Sequence, residues 1–139
     1  MKARNVVIVD GCRSPFSRGG RGKFESTRLD EVSATMIRTL LERNPKVKPT
    51  MIQDFGIGNG NKAFDLGFLN NISRLAGLPL ECANFYSDRH CASSMETLIR
   101  IAIAIVLGSS DCGIALGVER MNNELMGGFF MPPTTRVSS

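Results

Sequence analysis

Apolar positions along this 139-residue chain fall alternately into short continuous runs and into stripes at helical spacing. Val6-Val7-Ile8-Val9, closed by Asp10-Gly11, is a β-branched run of the kind buried on both faces of a parallel sheet, and predicts a first strand. Leu29, Val32, Met36, Ile37, Leu40 and Leu41 recur at three- and four-residue steps, predicting an amphipathic helix over 30–43 that starts on Asp30 and Glu31 and stops at Asn44-Pro45. Met51 to Ile57 predicts a weaker second strand, with Gly56, Gly58 and Gly60 leading out of it as a turn. Phe64, Phe68, Leu69, Ile72, Leu75 and Ala76 mark a second helix ended by Gly77 and Pro79. A third strand over 82–86, a third helix over 93–107 and a fourth strand over 112–118 complete the pattern.

Three alternations of strand and helix predict an α/β fold with a mostly parallel βαβαβαβ sheet and right-handed crossovers. The third helix is apolar almost all round, so it is expected to be buried inside a larger assembly. Residues 1–121 read as one domain, and 122–139 as a poorly ordered start of a loop region that adds nothing for the sheet to close on. Both features predict a missing partner, either more chain or a second subunit.

Composition narrows the classes. Hydrophobic residues at 42% and charged residues at 22% suit a globular domain with a real core and exclude wholesale disorder. The net charge of +4 comes largely from Arg13, Arg18, Arg21, Lys23 and Arg28, which lie in one glycine-rich loop. No nucleic-acid motif accompanies them, and aromatic residues are not interleaved with the basic ones, so an anionic small ligand such as a phosphate, or plain solvation, explains the loop better than nucleic acid. Leu98 to Leu107 contains Arg100 and falls short of the ~20 apolar residues a membrane span needs, so no span is expected. Cys12, Cys82, Cys91 and Cys112 form no C-x-x-C pair, and the single histidine completes no metal-ligand pattern. With no secretory signal visible, four reduced thiols in an intracellular setting are expected, cytoplasmic or within an organelle. Gly56-x-Gly58-x-Gly60 is not the G-x-G-x-x-G dinucleotide fingerprint and follows the wrong strand.

The candidate chemistry sits in Ser87-Asp88-Arg89-His90-Cys91-Ala92-Ser93-Ser94-Met95, where a cysteine stands at a strand-to-helix corner. Cysteine is often an inert buried hydrophobe. At a corner of this kind, however, the positive end of a helix and its unbonded N–H groups favour the thiolate and make a nucleophile.

Four stretches in order give the chain a family resemblance. Residues 6–16 (VVIVDGCRSPF), 71–79 (NISRLAGLP), 88–95 (DRHCASSM) and Gly117-Val118-Glu119-x-Met121 resemble the N-terminal part of the thiolases, especially the 3-ketoacyl-CoA thiolases of fatty-acid β-oxidation, over about Arg4 to Met121. The resemblance implies an incomplete, N-terminal half of the thiolase fold in which Cys91 is the acyl-accepting nucleophile of an acyltransferase. It would pass the acyl group between 3-ketoacyl-CoA and coenzyme A, or run in reverse as a Claisen condensation. Coenzyme A and acyl-CoA are then substrates, with no covalently bound cofactor and no metal. Arg13, Arg18 and Arg21, with Lys23, are expected to face coenzyme A phosphates. The resemblance also implies a homo-oligomer, with the strand before the nucleophile near the subunit interface.

Three positions depart from the family pattern: Asp88 replaces its asparagine, His90 an uncharged residue and Leu116 a glycine. Asp88 would set a carboxylate near the thiol, which opposes ionisation. The family's activating histidine, its second cysteine, most of its oxyanion hole and its loop domain lie C-terminal to the matched region, so the chain is expected to be inactive alone. Two alternatives stand beside this reading: a non-catalytic remnant or binding module, and a cysteine hydrolase using His90. For the latter, Arg89 and Ser93 occupy places where a hydrolase elbow carries glycines.

Overall fold

The computed structural model describes residues 4–19, 21–24, 26–60 and 68–119. Helix α1 is Leu29–Arg43, a single 3-10 turn covers Pro49–Met51, and strand β1 is Asp54–Gly58. Helix α2 (Phe68–Leu75), strand β2 (Ala83–Ser87), helix α3 (Ser93–Leu107) and strand β3 (Gly113–Gly117) follow. The three strands form a parallel sheet in the order β2-β1-β3, with Gly56 opposite both Phe85 and Ala115. This is the α/β architecture expected, with helices between parallel strands.

Alternation along β1 divides the layers. Phe55 and Ile57 are fully buried in a core with Ala34 and Ile37 of α1, Leu69 and Ile72 of α2, and Ile114 of β3. Gly56 and Gly58 point the other way, to α3. Phe55 to Ala would remove a ring with no solvent contact, a change worth about 3–5 kcal/mol. Helices α2 and α3 are each followed by a left-handed glycine, Gly77 at φ 76° and Gly108 at φ 78°, and the N–H groups beyond them close on carbonyls of the last turn, as in Leu78 N–H to Ser73 C=O at 3.0 Å. Gly77 is the stop read from the sequence.

Two expectations need correction. Val6–Val9 is no part of the sheet among the described residues: Val7, Ile8 and Val9 are 76%, 75% and 69% exposed. The segment is tied down at its ends instead. Arg4 pairs with Asp111, and the Asp10 carboxylate accepts from Arg43 at 2.9 Å and from Asn44 at 2.7 Å. Four β-branched residues favour extension, but a strand also needs a neighbouring edge, which propensity cannot supply. The second correction is α3, which buries one stripe, Ser93, Thr97 and Ile101, while Met95, Leu98, Ile99, Ile103 and Leu107 are exposed. By length and composition alone the 90–107 window reaches what a bilayer crossing requires, which the shorter 98–107 run did not. Its stripe packs on the sheet and its two charges are ion-paired, the arrangement of a sheet-bound helix. The expected loop start at 122–139, and Phe64 of the second helix pattern, lie outside the described residues.

Asp30 anchors the start of α1. It is buried, its carboxylate accepts from Arg28 Nη2 at 2.6 Å and Nε at 3.1 Å, and Oδ1 also receives the Glu31 N–H at 3.0 Å. The Arg28 hydrogen bonds hold the Asp30 carboxyl below the usual carboxylate range, against desolvation. A carboxyl depressed by folding stabilises the fold above its unfolded value, and that share is lost as pH falls through the lower folded value. Asp30→Asn is expected to cost no more than about 1 kcal/mol at pH 7, because Arg28 is largely exposed and solvent screens the pair. In urea titrations the gap to the parent should close in acid, once the parent carboxyl is itself protonated.

Candidate active site

Helix α3 is seated on glycines. Ser93, Thr97 and Ile101, four residues apart, present one face, and the strand residues beneath are Gly56 and Gly58 of β1 with Gly113 and Gly117 of β3. A Cβ built on Gly58 would stand 2.4 Å from the Ser93 carbonyl carbon and from the Ser94 nitrogen; one on Gly56 would stand 2.5 Å from Thr97 Cγ2, and one on Gly117 2.6 Å from Ser94 Cβ. The Gly56-x-Gly58-x-Gly60 spacing is therefore a period-two groove that admits a helix to backbone contact, and not the turn expected from the sequence. Thr97 donates its hydroxyl back to Ser93 C=O at 2.9 Å, so its methyl is the group left facing the groove.

This seating puts the β2–α3 elbow beyond the carboxyl ends of the strands, where open α/β sheets place their ligands. The elbow is built by two side chains. Asp88 Oδ1 accepts the His90 N–H at 3.2 Å. Ser93, buried at the first position of α3, accepts the Arg89 N–H at 2.8 Å and donates to His90 C=O at 2.6 Å. The Ser93 N–H also reaches His90 C=O, at 3.1 Å. Under these bonds His90 takes φ 51°, a left-handed conformation that costs a non-glycine residue about 1 kcal/mol. Because His90 lies in this turn, the alternation of side chains along a strand does not govern it, and no hydrogen bond joins its side chain to Cys91 among the described residues. Asp88 serves the elbow through an acceptor oxygen that asparagine also carries.

Cys91 projects from this elbow, exposed, one residue before the N-cap Ala92 of α3. The corner is where the sequence placed it. Arg89 is spent on Glu96 in the first turn of α3, and Glu96 also accepts from Arg100 Nε at 3.1 Å. Hydrogen bonds from Arg100 and Arg89 hold the Glu96 carboxyl below its usual range. Burial raises the Cys112 thiol, and burial together with the Asp54 charge pushes Cys82 up to about 11.

Of the loop cations, Arg18 and Arg21 are brought together with Lys23, Phe16 and Phe24 around a cavity of about 450 Å³. Arg13 stands beside it, its guanidinium 5.6 Å from the centre of the Phe16 ring and Nη1 donating to Ser14 C=O at 3.1 Å. No group of three His, Cys, Asp or Glu suited to a metal occurs among the described residues. Sequence reading missed Ser93, Asn59 and Glu119. Glu119 stood inside a recognised motif, but nothing local announces that its carboxylate reaches Asn59 Nδ2 at 3.2 Å and Gly60 N–H at 2.9 Å.

Residues 6–128 match the family model "Thiolase, N-terminal domain". A 3-ketoacyl-CoA thiolase of Aliivibrio salmonicida is 42% identical over 122 residues, 86% of this chain and 32% of that protein. One of Vibrio vulnificus is 38% identical over the same shares. The chain thus spans about a third of the length of the relatives it matches. Among solved structures, an acetyl-CoA acetyltransferase of Bacillus anthracis superposes with a TM-score of 0.65 at 22% identity, covering 72% of this chain and 25% of that one, a likeness of fold. With the α3 seat, the Cys91 elbow and the ordered motifs all falling inside the matched span, the chain belongs to the thiolase family, through that family's N-terminal domain.

Proposed function

We propose that Cys91 is the nucleophile of a thiolase-type acyl transfer between a 3-ketoacyl-CoA and coenzyme A. The observation that carries the reading is its position: an exposed sulfur on a braced strand-to-helix elbow at the carboxyl end of a parallel sheet. In the thiolytic direction the Cys91 thiolate adds to the β-carbonyl carbon of the substrate. The bond between the α and β carbons then breaks, its electron pair passes to the α carbon, and protonation there releases acetyl-CoA. The acyl group remains on sulfur as a thioester. Coenzyme A, losing its thiol proton to a base, attacks that carbonyl and expels the Cys91 thiolate, which closes the cycle.

The first step needs a base for the Cys91 proton, and release of acetyl-CoA needs an acid. By the family resemblance both belong to the parts of a thiolase beyond the third that this chain spans, and in this proposal they come from further chain or a second polypeptide. Arg18, Arg21 and Lys23 would meet the phosphates of coenzyme A, with Arg13 alongside over Phe16. Association is part of the same reading, since β2 is an edge strand among the described residues and carries the part-exposed Tyr86. Four free cysteines suit a reducing, cytoplasmic setting.

The test is intact-mass analysis after incubation with acetyl-CoA, with and without the C-terminal two-thirds of a relative supplied as a separate polypeptide. The expected result is the mass of one acetyl group on Cys91, gained at least about 10² times faster in the mixture and absent in Cys91→Ala. Acylation that persists in Cys91→Ala, or no acylation in the mixture, would overturn the assignment.

A further inference from the structure

Glu119 is the motif residue to which the acyl-transfer reading gives no task. Its two carboxylate oxygens are both engaged: Oε2 accepts the Gly60 N–H at 2.9 Å and Oε1 accepts from Asn59 Nδ2 at 3.2 Å. Asn59 is only 4% exposed and ties all three strand ends. Its side-chain amide donates to Val118 C=O at 2.6 Å, next to the Val118 N–H to Gly58 C=O bond at 3.2 Å, and its backbone N–H donates to Ser87 C=O at 3.1 Å. The amide adds one rung to the β1–β3 ladder after the backbone rungs have ended.

This knot touches the nucleophile elbow at Gly60. A Cβ on Gly60 would lie 2.9 Å from the His90 carbonyl oxygen and 3.1 Å from its carbon and Cα, so the two backbones meet with no side chain between them. His90 is the left-handed residue of the elbow, and its carbonyl is the one held by Ser93. A strained φ survives where the surroundings over-determine it. Here Ser93 supplies that constraint from the helix side and Gly60 from the sheet side. Gly60 in turn is fixed by Glu119.

We propose that Glu119 is a positioning residue for Cys91: its carboxylate holds Gly60 as the brace for the His90 turn, with buried Asn59 as its partner. It acts through the backbone and touches neither the sulfur nor a substrate. Its consequence for rate rests on the nucleophile reading; its geometry does not. The bland alternative is that Glu119 merely closes the end of the sheet, and the two differ in where a lesion is felt.

The experiment compares Glu119→Ala, Glu119→Gln and Gly60→Ala in the whole chain. One readout is amide hydrogen exchange; the other is iodoacetamide labelling of Cys91 across pH, with Cys12 of the same molecule as the reference thiol. Glutamine keeps a carbonyl oxygen for the Gly60 N–H but turns its NH2 toward the Asn59 amide and loses that bond, so Glu119→Gln should fall between the parent and Glu119→Ala. Glu119→Ala should raise exchange in 88–93 about tenfold, with α1 unchanged, and lower the Cys91 to Cys12 labelling ratio across the pH range. Gly60→Ala leaves the N–H in place and places its added carbon against His90, so it should reproduce the local change, and it decides the matter should Glu119→Ala not fold. Exchange rising equally through all three strands, unchanged exchange in 88–93, or a glutamine variant as damaged as the alanine one would overturn the proposal. If the parent chain takes up no acetyl group even when mixed with the C-terminal two-thirds of a relative, the acyl-transfer reading fails while the exchange comparison still decides this one.

Discussion

Gly58→Ala should lower the stability of the chain by on the order of 3 kcal/mol, read as a fall in the urea midpoint at unchanged slope. The added carbon would lie 2.4 Å from Ser93 C and Ser94 N and 2.5 Å from Ser93 O. These are backbone atoms of the first turn of α3, so no rotamer change relieves the overlap. The strand cannot retreat either, because β1 is hydrogen-bonded to β2 on one side and β3 on the other. The helix must therefore lift at its N-terminus, taking the Ser93 bonds and the Cys91 elbow with it. At Gly113 an added carbon would lie 2.7 Å from Ile101 Cγ2 and 2.9 Å from the Asp54 carbonyl oxygen, so Gly113→Ala should also destabilise, whereas Gly11→Ala, with nothing within 4 Å, should be close to neutral. A Gly58→Ala protein as stable as its parent would mean that α3 does not rest on this groove.

That groove marks the boundary of what could be read from residues alone. The bounds of α3 were legible, since an apolar stretch between a polar corner and Gly108 has no other short-range solution. Its burial was not legible. Spacing identifies apolar positions, but which face is covered depends on what else packs there, and of α3 only Ser93, Thr97 and Ile101 are buried. Val6–Val9 failed for the same reason: extension is local, pairing is not. Gly56, Gly58 and Gly60 were visible as a spacing, and their alternation matched a strand face as well as a turn; the choice needed the helix opposite. Cys91 was legible because a strand end, a cysteine and a helix start are consecutive. Asn59 and Glu119 were not, because sixty residues separate them and their bond exists only once β1 and β3 lie side by side.

Alkylation of the four thiols should separate them by two orders of magnitude or more, with Cys91 and Cys12 reacting first, Cys112 later and Cys82 last. Cys12 and Cys91 are exposed, Cys112 is half-buried and Cys82 is buried. The Cys82 thiol is pushed up to about 11 from 9.0, chiefly by desolvation and further by the Asp54 charge. A thiol raised by that much has about a hundredfold less thiolate at neutral pH, and higher intrinsic nucleophilicity returns only about tenfold of this. Burial supplies the remainder, since iodoacetamide reaches Cys82 only when β2 opens from the core, and such openings are rare in proportion to local stability. Peptide mapping of a labelling time course at pH 8 gives all four rates in one sample. The sign is checked by repeating it at pH 10: Cys82 should continue to accelerate with pH, as a raised thiol still below its titration must. Labelling of Cys91 as slow as that of Cys112 would remove the nucleophile from the elbow, whatever the fold around it. Labelling of Cys82 alongside Cys12 would show instead that the sheet itself is open in solution, and would take the α3 seat and the Gly60 brace down with it.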